Sequence, residues 1–348
     1  MVIGVSGVTG TPLAEQLLRL PEWKVYGVSR RAPVLRAGAI PGAFSHVAAD
    51  LTDAQATRQM LGACTDVTHV FYCANEGEKE IRLAMITNVI EVLESGAAGF
   101  RNINLLQGTK YYASHLGPFR TPAKESDPRT PGADYYYSEE DLVKRRQVGK
   151  CWAWTAVRPH SVCGYAPGNP INLVSVIGIY GSMLRELGQP FGFPGSPKCF
   201  EALFNVCDAD LLSRASIHVS TSSACANQAF NINNGDFFRW KNLWPAVAGF
   251  FGLAPAGPQP YLMAEFLRDK QPLWDEMTAK YHLKPFPYAR APGWAQGDYT
   301  PPHSRIACEY DLISDLVKIR QHGFCEAVDS ERMFLRVLGR LRDEKVIP

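Results

Sequence analysis

Gly4, Gly7 and Gly10 stand at G-x-x-G-x-x-G spacing, directly after the apolar run Val2, Ile3 and Val5. A helix-like stretch from Leu13 to Leu20 follows. Strand, glycine turn and helix in that order let the backbone approach a pyrophosphate, and the helix N-terminus adds N–H donors and a partial positive charge. This setting marks Gly4, Gly7, Val8, Thr9 and Gly10 as a candidate dinucleotide cradle rather than an ordinary tight turn. The next strand-like run, Lys24 to Val28, ends in Ser29-Arg30-Arg31. An NAD site usually carries Asp or Glu about 20 residues after the glycines, on the ribose 2′-OH. Arg30 stands there instead, and no acid occurs between Glu22 and Asp50. Two guanidiniums suit a 2′-phosphate, which they grip through bidentate, charge-assisted bonds. The expected cofactor is therefore NADPH.

A second set of residues bears on catalysis. Many short-chain dehydrogenases place a catalytic Tyr four residues before a Lys on one helix. None of the fourteen tyrosines here has Lys at that position. Either the chain is not catalytic, or Tyr and Lys come from separate segments. Lys110 lies in Q-G-T-K-Y-Y, just past a strand-like run, and Tyr135-Tyr136-Tyr137 opens a helix-like one. Both segments are expected at the nicotinamide end of a sheet.

The elements that must position these residues alternate. After the first two strands, His46 to Ala49 reads as a third and leads into Asp50-Leu51. Val67 to Cys73 reads as a fourth, Asn102 to Leu106 as a fifth, and Trp152 to Val157, ending in Arg158-Pro159, as a sixth. Ala229 to Ile232 reads as a strand returning to the sheet. This pattern predicts an α/β fold, a Rossmann-type doubly wound parallel sheet, with a smaller, mostly helical C-terminal lobe for the substrate. Ligands in such sheets lie at the carboxyl ends of strands. That adds Asp50, Leu51, Cys73, Ala74, Gly108, Lys110, Pro159 and Val162 to the cofactor candidates. The stretch 117–134, with four prolines, reads as a loop, and Tyr135 to Val148, Arg239 to Phe251 and Ala264 to Lys280 read as helices. The expected division is residues 1–165 for the nucleotide, with a return segment at 200–234, and residues 166–199 and 235–348 for the substrate lobe.

Bulk properties narrow the function. The chain has 348 residues, 20% charged, with net charge +2, so no electrostatic footprint for nucleic acid or membrane stands out. Lys144-Arg145-Arg146 follows Glu139-Glu140-Asp141 and reads as a solvated helix face. Nine scattered cysteines without C-x-x-C, and no signal peptide, predict reduced thiols, a cytoplasmic location and no metal. The longest apolar stretch, Ile171 to Leu184, is too short to span a bilayer.

At the motif level the chain resembles the progesterone 5β-reductase/iridoid synthase-like family, an atypical branch of the extended short-chain dehydrogenases. The resemblance rests on G-V-S-G-V-T-G, S-R-R, T-H-V-F-Y, R-P-H-S-V-C-G-Y-A-P-G-N, D-A-D-L, N-I-N-N-G-D-F-F-R-W-K and H-G-F. That family lacks Tyr-x-x-x-Lys and carries its Tyr on N-F-Y-Y-x-x-E-D, which here reads Asp134-Tyr135-Tyr136-Tyr137-Ser138-Glu139-Glu140-Asp141. Its catalytic Tyr falls on Tyr136 and its catalytic Lys on Lys110. Two departures stand out: Asp134-Tyr135 for Asn-Phe, and Asn75 where plant members have a pocket Trp.

The resemblance implies NADPH-dependent reduction of an activated C=C bond in a small enone or enal. A tyrosine phenol, with an ordinary pKa of about 10, can donate to the oxygen on which enolate charge appears. A nearby Lys110 ammonium favours negative charge there. Val162 is placed for the carboxamide, and His160 reads as a packed histidine. Asn75, Phe119, Tyr136, Asn172, Met183 and Phe324 are the expected substrate walls. An ordinary carbonyl reductase or epimerase, and a non-catalytic NADP-sensing regulator, are the competing readings. The chain is expected to act as a monomer or homodimer.

Overall fold

A computed structural model describes residues 1–35, 42–74, 78–134, 136–166, 172–285 and 309–348. In chain order the elements are β1 (Val2–Ile3), α1 (Gly10–Leu17), β2 (Val25–Val28), β3 (Phe44–Val47), α2 (Ala54–Leu61), β4 (His69–Tyr72), α3 (Lys79–Gly96) and β5 (Asn102–Leu106). A 3-10 turn (Thr109–Tyr112) precedes α4 (Tyr137–Gln147), β6 (Ala153–Pro159), β7 (Val162–Cys163), α5 (Leu173–Glu186), β8 (Phe191–Phe193), α6 (Pro197–Glu201), β9 (Leu203–Phe204) and β10 (Cys207–Asp208). Then come α7 (Ala209–Thr221), β11 (Gln228–Ile232), β12 (Phe238–Arg239), α8 (Trp240–Phe250), β13 (Pro255–Pro258), α9 (Met263–Arg268), α10 (Gln271–Tyr281), α11 (Val317–Gln321) and α12 (Ser330–Asp343).

The central sheet has seven strands in the order β11-β6-β5-β4-β1-β2-β3, all parallel. Successive side chains on a strand face opposite ways, and the core follows that rule. Val2 and Phe71 pack with Leu13 and Leu17 of α1 on one face. Ile3, Val70 and Tyr72 pack with Ile86, Val89 and Val143 on the other. Burial on both faces explains why the central strands β1 and β4 are largely apolar on both sides, whereas the edge strand β3 carries Ser45 and His46. The order reverses between β1 and β4, which opens the crevice where such sheets bind ligands. A third cluster joins α7 to Phe230 and Ile232 of β11, and Ile319 of α11 belongs to it. A fourth, rich in aromatics, gathers α5, Phe191, Phe193, Trp240, Trp244, Trp274 and α12.

The expected doubly wound sheet and returning strand are present. Several elements differ in detail. The first helix begins at Gly10 rather than Leu13, because the glycine turn feeds directly into it. Ala264 to Lys280 is two helices, α9 and α10, because Pro272 sits in the first turn of α10 and requires a fresh helix start. The Lys144-Arg146 run is no simple solvated face. Lys144 bonds Glu140 at 2.6 Å and lies over the Trp154 ring, and Arg146 bonds Glu91 at 2.6 Å. No helix of the described residues is long and apolar enough to cross a membrane, and no metal-binding group of three His, Cys, Asp or Glu occurs among them.

Candidate active site

Gly4 leaves β1 with φ +79°, a left-handed conformation that costs other residues energy. A Cβ there would lie 3.0 Å from the Ala74 N and 3.1 Å from the Cys73 carbonyl carbon, at the end of β4. Gly10 opens α1 so closely that a Cβ would overlap the Gly4 carbonyl oxygen. Gly7 N–H donates to Gly4 O at 3.1 Å, and Thr9 is buried at the helix start. Val8 reaches across to Gly164, whose Cβ position lies 3.4 Å from Val8 Cγ2, just past Val162 in β7. A backbone cradle that a Cβ would fill, opening onto a helix N-terminus, fits a dinucleotide pyrophosphate.

At the end of β2, Ser29 Oγ donates to Arg31 O at 2.6 Å, and His46 Nε2 lies 3.1 Å from Ser29 O. Arg30 and Arg31 are exposed. Bonds from Thr52, and then the Arg30 charge, hold the Asp50 carboxyl below its ordinary range. Leu51 is buried, and its carbonyl accepts from Asn88. Cys73 is half-buried, and desolvation pushes its thiol up to about 12, which favours the neutral thiol over the thiolate near pH 7.

The second half of the site lies at the ends of β5 and β6. Their register, Leu106 to Val157, sets Gln107-Gly108 beside Arg158-Pro159. Tyr136 precedes α4 and is 7% exposed. A Cβ at Gly108 would stand 3.3 Å from the Tyr136 hydroxyl and 3.4 Å from Pro159 O, so the three meet at one point. Lys110, half-buried, rides the 3-10 turn that follows Gly108. Phe119 packs against the Tyr111, Tyr112, Tyr136 and Tyr137 cluster. His160 is buried, its ring edge-on to Phe204 at 4.7 Å, and burial lowers its pKa to about 4, so it is neutral near pH 7.

The other expected walls do not gather here. Met183 has no exposed surface and fills the α5 core. Asn172 is spent on the backbone: it caps α5 and donates to Gly164 O at 2.9 Å. Phe324 packs in the α7–β11 core, its ring 5.7 Å from His218. Apolar character does not separate core from pocket, which is why Met183 and Phe324 read as walls, and type alone does not show that the Asn172 amide is taken up by backbone. Asn75 and Tyr135 lie outside the described residues.

The structure gives a buried place to a residue that the sequence offered only within the tyrosine motif and on a helix face read as solvated. Glu140 is 1% exposed, yet its carboxylate accepts from Gln107 Nε2 at 2.9 Å and Arg158 Nη2 at 3.0 Å. The other oxygen accepts from Tyr111 at 3.3 Å, Arg129 at 3.2 Å and Lys144 at 2.6 Å. Burial alone would raise its pKa, but Arg158, Lys144 and Gln107 bring it down to about 2. The Arg158 guanidinium lies 3.3 Å over the Tyr111 ring and donates to Gln107 Oε1 at 2.8 Å and Tyr112 at 3.2 Å. Tyr112 passes a 2.6 Å bond to Asn231 on β11. One signal was available: an Arg at the end of an apolar strand is almost never fully buried unless paired.

Comparison with known proteins agrees with this architecture. Residues 46–348 match the model of the PRISE-like Rossmann-fold domain. A 3-oxo-Delta(4,5)-steroid 5-beta-reductase of Arabidopsis thaliana is 30% identical, over 100% of this chain and 92% of its own length. An (S)-8-oxocitronellyl enol synthase of Antirrhinum majus is 28% identical over the same shares. Among solved structures, a Thermus thermophilus UDP-glucose 4-epimerase in complex with NAD superposes with TM-score 0.67 at 17% identity, covering 98% of each chain. A UDP-N-acetylglucosamine 4-epimerase of Methanobrevibacter ruminantium gives 0.69 at 14% identity, covering 99% of this chain and 97% of that one. At such low identity these two speak to the fold alone. With a family model matching most of its length and a relative at 30% identity over all of it, the chain belongs to the PRISE-like Rossmann-fold family.

Proposed function

We propose that the protein is an NADPH-dependent reductase of activated C=C bonds in small enones or enals. The observation that carries the reading is the meeting of the Tyr136 hydroxyl with Gly108 and Pro159 at the carboxyl ends of β5 and β6, beside the Lys110 turn. The relatives named for steroid 5-beta reduction and for enol synthesis support it.

Gly4, Gly7, Val8, Thr9 and Gly10 would hold the pyrophosphate, Arg30 and Arg31 the 2′-phosphate, Asp50, Leu51, Cys73 and Ala74 the adenosine half, and Pro159 and Val162 the nicotinamide half. Held there, NADPH would supply a hydride for the β-carbon of the substrate. As that C–H bond forms, the C=C electron pair moves toward the carbonyl and the oxygen becomes an enolate. Tyr136 donates a hydrogen bond to that oxygen, an interaction stronger in the transition state than in the ground state. The Lys110 ammonium adds favourable charge and orients the ribose. A proton from water then completes the α-carbon. Phe119 packs on the tyrosine cluster and offers the substrate an apolar wall.

The test is NADPH consumption with cyclohexenone and progesterone, with product analysis, for wild type, Tyr136→Phe and Lys110→Met. Loss of one such donor costs about 10²–10³ in kcat. Saturated-ketone product with a Tyr136→Phe loss of that size supports the reading. Reduction indifferent to Tyr136 removes its assigned role, and alcohol product favours a carbonyl reductase. Saturable NADPH binding without turnover favours a sensor.

A further inference from the structure

We infer that the buried Glu140–Arg158 pair is a positioning device that sets the Lys110 turn against the Tyr136 hydroxyl. Three elements supply the reacting neighbourhood: the turn after β5, the start of α4 and the end of β6. All three meet at Glu140, two of them at its carboxylate and one through its backbone. Glu140 lies one helical turn after Tyr136, and its N–H donates to Tyr136 O at 3.2 Å. Gln107, which immediately precedes Gly108, donates to it. Arg158, which immediately precedes Pro159, donates to the same oxygen.

The turn that carries Lys110 is also held through its next two residues. Tyr111 and Tyr112 follow Lys110, and Arg158 stacks on the first and bonds the second. Tyr137 Oη donates to Tyr111 O at 2.7 Å, tying the turn to α4 again. Apolar residues of equal volume would often give as stable a core as a buried ion pair. What they cannot give is the fixed angle between a planar fork and a two-oxygen acceptor. Glu140 and Arg158 therefore act through Lys110 and Tyr136.

The inference rests on the reductase reading, so the experiment separates the two. Full-length wild type, Glu140→Gln, Glu140→Asp and Arg158→Lys are assayed for enone reduction, thermal melting and the carbon-13 resonance of reductively methylated Lys110, assigned with Lys110→Arg. A displacement of the order of 1 Å costs up to about 10²-fold, so Glu140→Gln is expected to lower kcat about 10–100-fold. Glu140→Asp should restore part of the loss, the Lys110 resonance should move, and the effect of Glu140→Gln should vanish in a Lys110→Met background. An unmoved resonance, or a kcat loss undiminished without Lys110, overturns the inference. If wild type reduces no enone, the reductase reading falls, and the resonance still decides whether Glu140 sets Lys110. Arg158→Lys keeps the buried charge and carries the same tests if Glu140→Gln does not fold.

Discussion

At the β1 end of the sheet, position is set by backbone against backbone. Gly4 and Gly10 touch each other and the end of β4 with no room for a Cβ, and no long side chain is involved. At the β5–β6 end, position is set by side chains. A carboxylate from α4, a guanidinium from β6 and an amide from the residue after β5 meet in the interior. The first arrangement is tolerant of charge and intolerant of volume. The second is sensitive to loss of charge. A site of this kind has two failure modes, and substitutions can address them separately.

Charge removal at the β6 end should have the largest effect. Arg158→Met leaves the Glu140 carboxylate buried without its main partner, and breaking a buried pair costs about 3–5 kcal/mol. Urea unfolding measures it directly. A loss below about 1 kcal/mol, within the range of a surface pair, would mean that Arg129 and Lys144 already satisfy Glu140. The same pair sets an acid limit. Glu140 is held at about 2 in the fold against an ordinary 4.5. A depressed carboxyl stabilises the fold above its unfolded pKa and loses that contribution as pH falls toward the folded value. Stability contributed by Glu140 should therefore decline between about pH 4.5 and 2. The decline should flatten in Glu140→Gln, and equal slopes for the two proteins would refute it.

The contrast also explains what the sequence could and could not disclose. The cradle is written in types: three glycines at fixed spacing after an apolar strand have few other uses. Asn102–Leu106 likewise reads as a strand at the bounds it has, because Ile103 and Leu105 alternate with Asn102 and Asn104 and the run stops at Gln107-Gly108. The side-chain clamp is written in partners. Gln107, Glu140 and Arg158 are separated by long stretches of chain, and only the β5–β6 register and the first turns of α4 bring them together. Met183, Asn172 and Phe324 show the same limit from the other side, since burial depends on what packs over a residue and not on its own type. Pro272 was a local signal, and its power to break the helix between α9 and α10 was visible in the chain.

Volume at the cradle comes next. Gly10→Ala pushes a methyl into the Gly4 carbonyl, a backbone atom that cannot swing aside. Overpacking of this kind costs about 1–3 kcal/mol. Melting should fall accordingly, and NADPH affinity, followed by quenching of tryptophan fluorescence, should fall with it. Normal affinity in a destabilised Gly10→Ala would show that α1 can back away from Gly4 without disturbing the cofactor.

The smallest effect on the fold belongs to the exposed arginines after β2, and it sharpens the comparison most. Arg30 and Arg31 are exposed, and the turn that carries them keeps its shape through Ser29 Oγ to Arg31 O and His46 to Ser29 O, bonds that no side chain of either arginine makes. Replacing both by Ala should leave stability within about 0.5 kcal/mol. Bonds to charged groups are nevertheless worth enough that losing the grip on a 2′-phosphate should weaken NADPH about 10–100-fold. NADH lacks that phosphate, so its affinity should stay unchanged. The ratio of the two affinities isolates the term, because any general damage to the cradle lowers both together. Parallel losses for NADPH and NADH would place the 2′-phosphate elsewhere and return Arg30 and Arg31 to the solvated surface.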